Sequence, residues 1–323
     1  MPYAESLHVD GTHQVDLVVT NPGFPVVEGG GVSLPPSVIR SASLTQPLVR
    51  QASAGFERPL TPWLGVRADY MWTRALDTLR SINVNAPNNG VRSNPLVGNV
   101  TEIQSTGRRA SDRLTVNLNL QRPKQRITAN VSYQLQSARN YADNATSLPS
   151  NSLDPKADWG PSAQDIRHRL TVSFNAPLFF GIRTGINLTA SSAAPYTVTT
   201  GRDDNGDTVF NDRPAGVGRN SERGAAQFNG TMRFTKSVTL GGAPPSVPGR
   251  PGTPVPRGGD RPVGSGEAGG SARYRMDVYA QVANPFNYVN YNQFIGNQLS
   301  PFFGAATSAG PARRVELGAS LSF

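Results

Sequence analysis

The chain has 323 residues, no cysteine, three histidines (His8, His13 and His168) and a net charge of +9. Disulfides, thiolate zinc sites and cysteine nucleophiles are therefore excluded, and little is left for acid–base or metal chemistry. The arginines are scattered rather than gathered into a stripe, so the charge does not point to nucleic acid.

No apolar run reaches the length of a membrane-spanning helix. A membrane barrel escapes that test, because its strands are apolar on one face only. The amino terminus, M-P-Y-A-E-S-L-H-V-D, carries neither a basic region nor an apolar stretch of the secretory type. If the chain is a membrane barrel, its beginning is expected to be missing here.

Taken in order, the chain alternates between apolar and polar positions in short runs. Leu7, Val9, Val15, Leu17 and Val19 share one parity, and Asn21-Pro22-Gly23 stops the pattern. From Ser43 to Glu57 the apolar set is Leu44, Leu48, Ala52, Ala54 and Phe56, with Arg50 on the same parity as the one exception. After a turn at Arg58–Pro62, Leu64, Val66, Ala68, Tyr70 and Trp72 oppose Arg67, Asp69, Met71 and Thr73. Residues 75–99 read as a long polar loop. Leu114–Leu120, Ile127–Leu135, Leu170–Ala176, Ile182–Ala190, Phe228–Phe234 and Tyr274–Val282 each alternate in the same way. The last twelve residues, Ala312–Phe323, put Val315, Leu317, Ala319, Leu321 and Phe323 on one face and end on the aromatic.

About ten strands result, joined alternately by short turns (Arg122–Gln125, Pro177–Gly181) and long polar loops. Outer-membrane barrels sort their connections in this way, short on the periplasmic side and long outside, and a sandwich has no reason to. The polar face of Asn, Gln, Ser, Thr and Arg suits a wet lumen. Leu114, Val116, Leu118, Ile127, Val131, Tyr133, Val172, Phe174 and Leu188 should point outward, with Asn117, Asn130, Ser173 and Asn187 inward. Arg113, Arg169 and Arg314 each open a strand after a long loop and are expected on the lumen side near the outer rim. Phe56, Trp63, Tyr70, Trp72, Phe179, Phe180, Tyr196 and Phe323 fall at strand ends, as interfacial aromatics do. Residues 241–271, a Pro/Gly tract, cannot build a core and read as a disordered insertion.

Three stretches resemble TonB-dependent outer-membrane receptors, most closely the Oar-like group with a carboxypeptidase-regulatory-like domain. Thr200–Pro214, with Gly216–Asn220 after it, is similar to a late extracellular loop of that family. Asn284–Asn292 is similar to the penultimate strand and loop, and Ser300–Gly304 running into Ala312–Phe323 to the carboxyl terminus. The resemblance implies a large barrel of about 22 strands, plugged by an N-terminal domain and driven by TonB. Residues 1–323 are then expected to be the C-terminal portion of such a barrel, an open curved sheet in the outer membrane. Its partners would be outer-membrane lipid, the missing plug and barrel strands, TonB through that plug, and an extracellular ligand that no residue names.

Asp203, Asn205, Asp207, Asn211 and Asp212 crowd oxygen donors into ten residues, which suits Ca²⁺. An EF-hand is excluded, because Thr208 and Pro214 stand where its glycine and bidentate acid belong. A looser structural calcium site and an Asx-rich turn both stay open. Gly264–Gly269 fits G-x-G-x-x-G by letter but follows no strand, so dinucleotide binding is rejected. With no G-x-S-x-G elbow or P-loop either, the chain is read as no enzyme, without catalytic residues or organic cofactor. The leading function is a part of an outer-membrane transporter. A surface or adhesion β-protein without transport is the alternative.

Overall fold

The computed structural model describes residues 3–8, 14–19, 38–240 and 274–322. In chain order the strands are β1 (Tyr3–His8), β2 (Gln14–Val19), β3 (Val38–Ser41), β4 (Leu48–Thr61), β5 (Leu64–Asn83), β6 (Val100–Arg122), β7 (Ile127–Asn140) and β8 (Gly160–Pro161). They continue as β9 (His168–Pro177), β10 (Ile182–Ser191), β11 (Pro195–Tyr196), β12 (Glu222–Arg223), β13 (Gln227–Leu240), β14 (Tyr274–Ala283), β15 (Tyr291–Phe294), β16 (Ala306–Ala309) and β17 (Arg314–Ser322). The expected disordered tract at 241–271, the His13 side chain and Phe323 lie outside the described residues.

One sheet dominates, with an antiparallel path β17-β14-β13-β10-β9-β7-β6-β5-β4; β3 joins β6 in parallel and β8 joins β7. The path is open, because β17 and β4 stand at its two ends and do not pair. This is the all-β, antiparallel, partial barrel that the alternation implied. The first two strands depart from it: β1 and β2 form a hairpin of their own instead of joining the wall.

Register fixes which residues share a face, since directly paired side chains project together. Leu118 lies opposite Val131, Val131 opposite Val172, and Val172 opposite Leu188. One residue along, on the other face, Asn130 lies opposite Ser173 and Ser173 opposite Asn187. The polar face is knitted across strands: the Asn130 amide donates to Asn119 Oδ1 at 2.6 Å, and Ser173 Oγ to Asn187 Oδ1 at 2.9 Å. The expected outward and inward sets stay separate throughout.

Burial identifies the apolar face. Among the described residues only six apolar side chains are buried, against nineteen polar or charged ones. A soluble sheet would invert that ratio. Leu48, Phe56, Tyr70, Leu114, Leu118, Tyr133, Leu170, Phe234, Leu317 and Leu321 all sit on the outward parity and are all exposed. Left in water, such a face would be a large association patch; against lipid it is at home.

The strands outrun their apolar stretches. β5 has 20 residues and β6 has 23, whereas a tilted barrel strand crosses the bilayer in about 9–11. Outward apolar residues on β5 run from Leu64 to Trp72 and then give way to Arg74. The upper ladder, Thr78–Asn83 against Thr101–Gly107, therefore stands above the membrane. Register shifts at Leu76/Thr78 and Thr78/Arg80 break the period, and the second loop covers Arg80, Ser81 and Asn83, so the sequence reads 75–99 as loop while β5 continues to Asn83.

The opposite ends turn tightly. Pro123–Gln125 is a single 3₁₀ turn closed by Arg126 in the left-handed region (φ 56°), and Phe179–Gly181 is another. At the first hairpin the turn is tighter than Arg58–Pro62, because β4 runs on to Thr61 through a register shift after Pro59.

Candidate ligand-facing lumen and loop roof

The long connections 84–99, 141–167, 192–226 and 284–313 all leave the same end of the sheet. Their polar side chains are buried against one another rather than spread into solvent. The first loop is wound around two asparagines. Asn85 donates its side-chain amide to the carbonyls of Asn94, Val97 and Gly98 at 2.9–3.0 Å and accepts from the Asn94 N–H. Asn83, almost wholly buried, accepts from the Val100 N–H at 3.0 Å and reaches the Asp207 carbonyl, tying the first loop to the third.

Three ion pairs lock the second loop to the third. Arg213 meets Asp158 at 2.6 Å, Arg219 meets Asp143 at 2.7 Å, and Arg223 meets Asp165 at 2.5 Å. Each carboxylate is also held by backbone: Ser150 N–H on Asp158, Ala163 N–H on Asp143, Ala138 N–H on Asp165. Arg219 further donates to the carbonyls of Asp158 and Asn140 and to the Asn140 side chain. Burial alone would raise the Asp143 carboxyl, but the Ala163 N–H, the Arg219 guanidinium and the Asn140 and Asn220 amides outweigh it and hold it low. Paired and hydrogen-bonded charges of this kind are the sort that survive burial.

Sequence reading did not assign these six residues a role. The signal was present as complementary charge: Asp143, Asp158 and Asp165 on one loop, Arg213, Arg219 and Arg223 on another. Without the sheet order, nothing in the sequence brings the two loops together.

The five oxygen-donor residues behave differently. Asp203 accepts from the N–H groups of Asp207 and Thr208, and Asp207 from those of Val209 and Ser152. Asp212 accepts from the N–H groups of Asp204 and Asn205 and from the Asn205 amide. Asn211 points its amide nitrogen at the Leu148 and Pro149 carbonyls, leaving Oδ1 without a partner. The carboxylates are thus turned mainly on the loop's own backbone, as in Asx turns, with Asp207 also reaching Ser152 of the second loop. Among the described residues no three acidic or histidine side chains are placed to hold a metal ion.

Asp207 is raised by burial and by the neighbouring Asp203 charge, against the Ser152 and Val209 N–H groups. Asp212 is pushed up to about 6, by burial first and then by Asp207 and Asp203. Asp212 lies beside a hollow of about 330 Å³ that it lines with Ser150, Asn205 and Arg213.

Below the roof the inward face is polar and cationic. Arg126, Arg183, Arg233 and Arg275 surround a hollow of about 830 Å³ at the end of the short turns. Arg233 stacks on Tyr279 at 3.8 Å, and Arg183 and Arg275 both donate to Ser237. Gly318, opposite Tyr279, leaves that ring room to lie against the sheet, since a Cβ there would stand 2.4 Å from it. Arg113 donates to Gln136 on the inward face, and Arg169 and Arg314 share that parity. His168 is a rim residue, its Nδ1 2.7 Å from the Tyr133 hydroxyl.

An open antiparallel wall with a lipid-ready exterior, a hydrated interior and a tied loop roof defines one class of protein, the outer-membrane β-barrels. The chain belongs to the outer membrane beta barrel domain family, whose pattern matches residues 1–316, and is an outer-membrane protein. No curated protein matches it. Its fold is similar to the outer membrane transporter YddB from Escherichia coli, with a TM-score of 0.57 at 11% identity, over 89% of this chain and 34% of that one. A weaker likeness, TM-score 0.47 at 14% identity, is to the FrpB iron transporter from Neisseria meningitidis (F3-3 variant), over 88% of this chain and 32% of that one. The chain thus spans about a third of the length of these solved structures.

Proposed function

We propose that the chain forms part of the wall and the ligand-facing loops of a TonB-dependent outer-membrane transporter of the Oar-like group, and that it carries no enzymatic activity. The observation that carries this reading is the inward face, which is polar and cationic from the short turns up to a roof of loops cross-linked by partly buried ion pairs. An adhesin needs a presented surface, but it has no use for a hydrated, arginine-lined interior. The resemblance of Thr200–Pro214, Asn284–Asn292 and Ala312–Phe323 to TonB-dependent receptors supports the finer assignment. The hollow ringed by Arg126, Arg183, Arg233 and Arg275 is then the face a plug domain would meet.

The test is solute depletion from the medium by cells with and without the gene, each in the presence and absence of functional TonB. Uptake of at least one solute should require both. If loss of the gene changes attachment to surfaces while depletion of every solute is unaltered, the adhesion reading takes its place.

A further inference from the structure

Arg50 interrupts the apolar parity of its strand, and the register turns that irregularity into a place. It lies directly opposite Arg74 across the β4–β5 ladder. On the next ladder Leu76 lies opposite Arg108 and Trp72 opposite Asp112. All share the outward parity of Tyr70 and Leu114, so they face lipid and not the lumen. Tyr141 continues the outward alternation of β7, its N–H bonded to the Arg108 carbonyl, and its ring packs on Trp159 at 5.0 Å. Arg50, Trp72, Arg74, Leu76, Arg108 and Tyr141 enclose a cleft of about 530 Å³.

Height and charge say what suits it. The cleft begins where the outward apolar run of β5 ends at Tyr70 and Trp72, the level at which head groups replace acyl chains. Arg74 is held by Asp112 at 3.0 Å and lies over Trp72. The guanidinium groups of Arg50 and Arg108 have no partner among the described residues. Asp112 balances Arg74 alone, so the Arg50 and Arg108 charges on the neighbouring strands are left for an anion from outside the chain. The guanidinium fork matches phosphate oxygens two at a time. Trp72, on the lower side of the cleft, is continuous with the apolar belt below, where acyl chains would run.

We propose that this cleft binds the phosphate-bearing head group of an outer-leaflet lipid, with Arg50 and Arg108 supplying the free charges and Arg74 fixed in place by Asp112. The site lies outside the barrel and does not depend on what the barrel transports.

The experiment is native mass spectrometry on the protein purified from outer membranes, titrated with diphosphoryl lipid A, dephosphorylated lipid A and inorganic phosphate. Wild-type protein should retain the diphosphoryl lipid, and Arg50→Gln with Arg108→Gln should weaken retention by about tenfold or more, as losing two charge-assisted contacts implies. Arg122→Gln is the control, an outward arginine over Trp63 at the opposite end of the same wall, and should change nothing. If the double variant does not reach the membrane, each single variant carries the same comparison with a smaller loss. Equal retention by the Gln variants, or of the dephosphorylated lipid, overturns the proposal. So does an equal loss in Arg122→Gln, or saturation by inorganic phosphate that blocks the lipid.

Discussion

Arg219 offers a quantitative test of the roof. Its guanidinium bridges Asp143, the Asp158 carbonyl and both polar groups of Asn140, joining the third loop to the second and to the top of β7. Arg219→Ala removes all of these at once and leaves the Asp143 carboxylate without its cation. Breaking a buried pair destabilises by about 3–5 kcal/mol. The Arg219 side chain is 10% exposed but that of Asp143 is 29% exposed, and water can partly replace the lost partner. A figure of about 2–3 kcal/mol is therefore expected, and each 1.4 kcal/mol is about tenfold in an equilibrium. Local opening of the roof should rise by roughly 30- to 140-fold. Hydrogen exchange at the Ala163 and Asn220 amides, which are tied to Asp143 and Thr197, reads that opening directly in the detergent-purified protein. Arg219→Lys should recover only part of the protection, since an ammonium cannot span the fork of acceptors. If Ala163 exchanges at the wild-type rate in Arg219→Ala, the loops are held by something else and the locked-roof argument fails.

Four further outcomes follow from the same geometry. Val172→Arg, on the outward face, should lower folding stability in lipid by about 2–4 kcal/mol at the bilayer midplane, while Ser173→Arg should be nearly neutral; urea titration in vesicles ranks them, and equal effects would contradict the assigned faces. The Asp212 carboxyl, raised to about 6 beside Asp203 and Asp207, favours the folded loop in its neutral form; that stability is full below the unfolded value near 3.8 and lost as pH rises through about 6. Exchange at Asp204 and Asn205, corrected for intrinsic rates, should accordingly quicken from pH 5 to 7.5, and Asp212→Asn should flatten the change. Millimolar Ca²⁺ should leave that exchange unaltered, because the carboxylates already accept from backbone N–H groups; a slowing would favour the calcium reading of the same five residues. Gly296→Ala places a Cβ 1.8 Å from the Thr197 carbonyl, so it should loosen the third loop from the fourth and expose both to protease.

What the sequence made legible was the part of the wall that lipid constrains. Where one face must be apolar and the other wet, as from Leu114 to Leu120, the period of two is enforced and faces can be assigned before any coordinates exist. Above the bilayer the constraint lapses. β5 continues past Leu76 and β6 begins at Val100, but two register shifts after Leu76 break the period there. The roof was legible only as composition: Asp and Asn signalled local turns, which the Asp203–Asp212 stretch does make. The ion pairs between loops, with sequence separations of 55 to 76 residues, left no local trace. They exist because the meander returns every second connection to the same end.

The same contrast explains why a misfit can carry more information than a match. Arg50 weakens the β4 pattern when the strand is read alone, and a strand predictor loses confidence at it. In the sheet it is one of several charges, with Arg74, Arg108 and Asp112, that fall in one band, level with Trp72 to Leu76, across three neighbouring strands. Charges gathered in one band of the outward face fit the membrane interface, since a charge on the lipid face is penalised until it reaches the interface. They mark where the interface lies on this side of the barrel. The outward side of β5 then divides into an apolar span that sets the membrane, a charged band that meets the head groups, and a ladder above both that holds the loops over the lumen.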